Sequence, residues 1–139
     1  MTTSSTWTCE SSGRVLGCGI DAERIARFRA EGGFGTSPWT ALFTAREIAH
    51  NRQLEDPALG FCASFCSKEA VVKSLGEPID YRDCELLLEP GQELQELRLA
   101  PRLCKDHGVV AWSARALQPA ERDECVVVVV LFGAADPRR

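Results

Sequence analysis

The 139-residue chain has no apolar run of the roughly 18 residues that a membrane span requires; the longest, Val126 to Phe132, is of strand length. No membrane association is expected. It also lacks a block of like charge: acidic and basic residues are interspersed around a net charge of −4, which argues against nucleic acid as a main partner. No basic stretch leads into an apolar one near Met1, so residues 1–13, rich in Ser and Thr, read as a disordered tail and not a secretion signal. Histidine is scarce, with His50 and His107 isolated, and no second cysteine pair accompanies Cys62 and Cys66, which leaves zinc short of its usual four ligands. The seven cysteines lie scattered through apolar segments and read as small core residues in a reducing, cytoplasmic setting. There is no internal repeat and no low-complexity tract.

What remains is the composition of one folded domain, placed at residues 14–133 with a short tail at 134–139. Val15 to Asp21 reads as a buried strand with two glycines, and Ile25 and Phe28 as the core of a short helix stopping at Gly32–Gly33. Thr44 and Glu47 form a capping box that opens a helix to about Leu54. Asp56–Pro57 opens a longer helix that runs to Leu75 before Gly76 and Pro78 end it. A strand pair around Pro90–Gly91, a helix from Pro101 to His107, and two strands, Val109–Ala116 and Cys125–Phe132, complete the chain, the Val-rich one being central. The fold class is α+β: helices packed on a small antiparallel sheet.

Two charged clusters stand out. On a helical wheel of residues 57–75, Glu69 falls beside Cys62, Phe65, Cys66, Val72 and Lys73, while Ser64, Ser67 and Ser74 gather opposite, on what looks like the solvent face. An exposed Glu–Lys pair four residues apart is ordinary and contributes about 0.3–0.5 kcal/mol. On an apolar face the same pair asks for a partner or an ion. Lysine usage points the same way: the chain has three lysines against thirteen arginines, and Lys68 and Lys73 bracket Glu69. An ammonium on a flexible stem suits a pyrophosphate pocket. Asp21, at a strand end, serves either as a helix cap or, with Glu23 two residues on and on the same side, as an oxygen ligand for a hard cation. Mg²⁺ binds through one or two carboxylates plus substrate phosphates, and Asp21 with Glu69 would supply such a half-shell.

Gly19-Ile20-Asp21-Ala22-Glu23, Phe43-Thr44-Ala45-Arg46-Glu47 and Phe65-Cys66-Ser67-Lys68-Glu69-Ala70-Val71-Val72-Lys73, in this order, resemble the motifs of the 4′-phosphopantetheinyl transferase superfamily, in its short holo-acyl-carrier-protein-synthase type. The resemblance spans about residues 15–110. It implies Mg²⁺-dependent transfer of the phosphopantetheine arm of coenzyme A to a serine of an acyl or peptidyl carrier protein, as in fatty-acid or polyketide synthesis. It implies Asp21 and Glu69 as metal ligands, with Glu23 a third as in the larger transferases. Lys73 would neutralise phosphate, and Lys68 would contact coenzyme A. Glu69 and Lys73 are thus the catalytic candidates, and the serine proton would go to Glu69 or to a water on the metal ion. A homotrimer is implied as well.

The short type carries a His-x-Ser-x-Ser-His run in a late strand, where this chain has Ala111-Trp112-Ser113-Ala114-Arg115-Ala116. Ser113 and Arg115 are what remains there to contact coenzyme A. That departure keeps two other readings open: a non-catalytic relative that binds coenzyme A or a carrier protein, and the same scaffold turned to another reaction on a carrier-bound intermediate.

Overall fold

A computed structural model describes residues 13–29, 34, 38–119 and 121–135. Of the expected tails only Gly13, Ala134 and Ala135 are described, and Gly13 and Ala134 belong to strands; the stop at Gly32–Gly33 lies outside the described residues. Strand β1 runs Gly13–Arg24, followed by helices α1 (Ile25–Arg29), α2 (Ala45–Arg52) and α3 (Pro57–Leu75). Strands β2 (Cys84–Leu86), β3 (Leu94–Gln95) and β4 (Leu97–Leu99) lead to helix α4 (Pro101–His107) and to strands β5 (Ala111–Leu117) and β6 (Glu124–Ala134). A four-stranded antiparallel sheet is ordered β1-β6-β5-β3, so the valine-rich β6 is central; β2 and β4 form a separate antiparallel pair. The α+β architecture is the one that the sequence predicts.

Local chemistry sets the helix ends. The Thr44 side chain accepts from Glu47 N–H while the Glu47 carboxylate accepts from Thr44 N–H, so both orphan donors of the first turn of α2 are satisfied. Proline opens α3, and Gly76, at φ 70°, closes it in the left-handed conformation by donating to the Val72 carbonyl. Asp56 differs from expectation: its side chain makes no cap bond and instead pairs with Arg29 at 3.0 Å. The first strand also continues past Asp21 to Arg24, because pairing with β6 persists to Arg24 opposite Glu124.

One face of the sheet is covered by α3. Cys125, Val127, Val129 and Leu131 of β6 turn toward it and are buried. The contact is unusually close: a Cβ at Gly19 would lie 1.9 Å from the Ala70 carbonyl oxygen, and one at Gly17 1.9 Å from that of Ser74. Only glycine lets the two backbones meet there. On the far side of α3, Phe28, Phe34, Phe43 and Phe61 form an aromatic core, with Phe34 stacked on Phe61 at 4.0 Å between centroids.

Candidate functional site

Helix α3 is buried around most of its circumference, and this reverses the wheel. Ser64, Ser67 and Ser74 point inward, not to solvent. Each hydroxyl donates to a carbonyl, Ser64 to Leu86 at 3.1 Å, Ser67 to Ser64 at 2.6 Å and Ser74 to Ala70 at 2.7 Å, so small polar groups pack at no unsatisfied cost. Phe65, Glu69, Val72 and Lys73 instead form the open strip. The grouping around Glu69 splits: Phe65, Val72 and Lys73 share its accessible side, whereas Cys62 and Cys66 are fully buried in the core.

Residues from three segments meet at that strip. Lys73 Nζ donates to Asp21 Oδ1 at 2.8 Å and to the Ile20 carbonyl at 3.1 Å. The Asp21 side chain is 12% exposed, and its Oδ2 is buried with no hydrogen-bond partner among the described residues. An ionised oxygen left this way costs free energy unless something supplies positive charge. Glu69 Oε1 accepts a short hydrogen bond from the hydroxyl of Tyr81, which sits on a 3-10 turn after α3. The Asp21 hydrogen bond raises the Lys73 ammonium above its ordinary range, with the charges of Asp21 and Glu69 adding to it. The Tyr81 phenol is pushed up to about 12 by burial, by the hydrogen bond to Glu69 and by the charges of Glu69 and Asp21. Both carboxylates therefore act on one small region.

Tyr81 is the functional candidate that the sequence reading missed. It is the only tyrosine of the chain, a signal that was there to be used.

Lys68 needs correction. Its side chain is fully buried, and its ammonium donates to Glu47 Oε1 at 2.7 Å, to the Tyr81 carbonyl at 2.9 Å and, by a short bond, to the Cys84 carbonyl. Glu47 Oε2 accepts from Leu86 N–H at 3.2 Å. Burial pushes the Glu47 carboxyl up, opposed by the charge of Lys68. With all three of its protons committed inside, Lys68 cannot reach a ligand. It ties α3 to α2 and to the entry of β2.

The profile of the 4′-phosphopantetheinyl transferase superfamily matches residues 17–129. The chain belongs to this superfamily. It is 33% identical over 134 residues to a holo-[acyl-carrier-protein] synthase of Anaeromyxobacter dehalogenans, covering 86% of this chain and 98% of that one. Its fold is similar to the crystal structure of the holo-[acyl-carrier-protein] synthase of Neisseria meningitidis, with a TM-score of 0.69 at 21% identity over 85% of this chain and 98% of that one. The Helicobacter pylori synthase, solved in complex with coenzyme A, superposes with a TM-score of 0.66 at 21% identity, covering 82% and 98%.

Within this member of the superfamily, two further expectations meet a different geometry. Strand register places Ser113 opposite Val130 and Cys18, and Arg115 opposite Val128 and Ile20, all on the sheet face that points away from α3. Asp21, opposite Val127, lies on the α3 face. A single chain therefore does not bring Ser113 and Arg115 to Asp21 and Glu69, and Arg115 forms a short ion pair with Glu93. Glu23 shares the face of Asp21, but its carboxylate takes Arg27 at 2.9 Å, and no three His, Cys, Asp or Glu groups converge as a metal cage among the described residues. Among those residues no helix is long and apolar enough to cross a membrane.

Proposed function

We propose that the protein transfers the 4′-phosphopantetheine arm of coenzyme A to a serine of an acyl or peptidyl carrier protein, with Mg²⁺ held between Asp21 and Glu69. The observation that carries this reading is the unpartnered, buried Asp21 Oδ2, placed next to Lys73 on the same open strip as Glu69. The donors are hard carboxylate oxygens, two in number, as suits Mg²⁺ that completes its shell with phosphate and water. When bound, the ion would offset negative charge on the diphosphate.

The chain's own groups do the rest by position and charge, which is most of what phosphoryl transfer asks of a protein. Lys73 is 52% exposed on its side chain and already held beside Asp21, so its ammonium can turn to a phosphate oxygen without leaving the site. Among the described residues no hydrogen bond engages Glu69 Oε2, which leaves that oxygen open for the ion or for the carrier hydroxyl. The coenzyme A complex of the Helicobacter relative supports the choice of donor.

The homotrimer finds support in the outer sheet face. Val15 and Ile20 are 63% and 57% exposed, and Val126, Val128, Val130 and Phe132 lie half-buried beside them. Such an apolar sheet face, with Ser113 and Arg115 upon it, fits a second copy of the chain and would carry these two residues to a neighbouring site.

Mass spectrometry of an apo carrier protein incubated with the protein, coenzyme A and Mg²⁺ tests the reading. Gain of one phosphopantetheine arm, abolished by Glu69→Ala, is the expected outcome. No gain on any of several carriers, with coenzyme A still bound, favours a non-catalytic relative, the reading that the missing His-x-Ser-x-Ser-His run keeps in view.

A further inference from the structure

A chain of contacts, buried at Lys68 and Glu47 and partly open further out, leads from the core to Glu69 without passing through any residue that the proposed reaction uses. Lys68, paired with Glu47, donates to the backbone carbonyl of Tyr81 at 2.9 Å. Asp80 caps the turn that follows, accepting from Arg82 N–H at 3.0 Å on Oδ1, while the Asp80 carbonyl accepts from Asp83 N–H at 2.9 Å. The Tyr81 ring meets Phe65 edge-on at 6.5 Å between centroids. Backbone, ring and turn are thus each held, and the hydroxyl that results is delivered to Glu69 Oε1.

We infer that Tyr81 is a positioning residue for the Glu69 carboxylate: by occupying Oε1 from an anchored turn, it fixes the carboxylate rotamer and reserves Oε2 for the cation. The inference rests on the reading of Glu69 as a metal ligand and adds what orients it. A ligand carboxylate on a half-open helix face rotates freely about its terminal torsion unless something holds one oxygen, and each orientation lost from the free state raises affinity for the ion. Partners that orient a metal ligand usually cost about 10- to 100-fold in metal affinity when removed. The buried Lys68–Glu47 pair has its role here as well: Lys68 also donates to the carbonyl of the residue that reaches the site, so the core ion pair sets where the phenol stands.

The test compares wild type, Tyr81→Phe, Asp80→Ala and Glu69→Gln in two measurements: Mn²⁺ binding with coenzyme A present, by electron paramagnetic resonance, and the Mg²⁺ dependence of transfer. Tyr81→Phe keeps the ring on Phe65 and removes only the hydroxyl. It is expected to weaken Mn²⁺ about tenfold and to raise the half-saturating Mg²⁺ similarly, with kcat at saturating Mg²⁺ changed by less than about twofold. Asp80→Ala, which loosens the turn without touching Glu69, should shift both in the same direction by less. Wild-type metal affinity in both variants, or a loss confined to kcat, overturns the role of Tyr81 while Glu69→Gln still abolishes Mn²⁺ binding. If Glu69→Gln binds Mn²⁺ as wild type does, the metal reading itself falls, and this inference with it.

Discussion

Two lysines five residues apart on α3 each meet one carboxylate at almost the same distance, Lys68 to Glu47 at 2.7 Å and Lys73 to Asp21 at 2.8 Å. In the first pair neither side chain is exposed; in the second the lysine is 52% exposed and the aspartate 12%. Identical chemistry has opposite consequences. Lys68 spends all its protons on fixed acceptors of the core, and removing it would strand Glu47 in a low dielectric. Lys73 keeps water access and can exchange its partner for a phosphate, while Asp21 keeps one oxygen unpaired. Burial, and not the pairing itself, separates a structural ion pair from one available for chemistry.

The comparison breaks most visibly at Lys68. Lys68→Met should destabilise the protein by about 3–5 kcal/mol in urea unfolding, since it leaves an uncompensated buried carboxylate. The double variant Glu47→Leu with Lys68→Met sharpens the point: it should recover much of that loss, because a buried pair replaced whole by apolar groups is often near neutral. Recovery of stability without recovery of metal affinity is expected, as the anchor for Tyr81 is gone.

At Lys73 the pattern should invert. Lys73→Ala is expected to leave the urea midpoint nearly unmoved while transfer falls about a hundredfold in kcat/KM, the scale of losing one preorganised charge contact. A matching loss of stability would show that Lys73, like Lys68, is a structural ion pair.

The smallest effect belongs to an exposed bridge, Arg29 with Asp123 at 2.7 Å. The Arg29 hydrogen bond holds the Asp123 carboxyl below its ordinary range, and the Ala26 backbone N–H adds to this. A carboxyl lowered in the folded state contributes stability above its unfolded value of about 4 and loses it as pH falls through the folded one. Asp123→Asn should therefore lower the melting temperature slightly at neutral pH and leave it unchanged once the wild-type carboxyl is protonated, a difference readable by calorimetry across the acid range.

Much of this was legible from residues alone, for reasons that can be named. The capping box at Thr44 and Glu47, the proline at the head of α3 and Gly76 at its foot act through their own backbone, so local sequence states them fully. The centrality of β6 followed from its valines. The orientation of α3 did not, because serine polarity suggested water where the helix meets carbonyls: a hydroxyl that can bond back to Ala70 or Ser64 hides its polarity from a wheel. Lys68 was misread for the same reason, as its acceptors are backbone carbonyls some thirteen to sixteen residues on and a carboxylate in another helix. Ser113 and Arg115 were placed by motif position, whereas the face that they occupy depends on register with a strand met later in the chain.

The glycines of β1 have a mechanical consequence. Gly19 abuts the carbonyl next to Glu69, and Gly17 abuts the one next to Lys73, so strand and helix touch main chain to main chain at the very residues that flank the reactive side chains. A joint of this kind has no side-chain cushion to compress or rotate. Asp21 rides on one member and Glu69 on the other, and their separation is set as a carpenter's half-lap sets two boards, indifferent to repacking elsewhere in the core but lost at once if either glycine gains a methyl group.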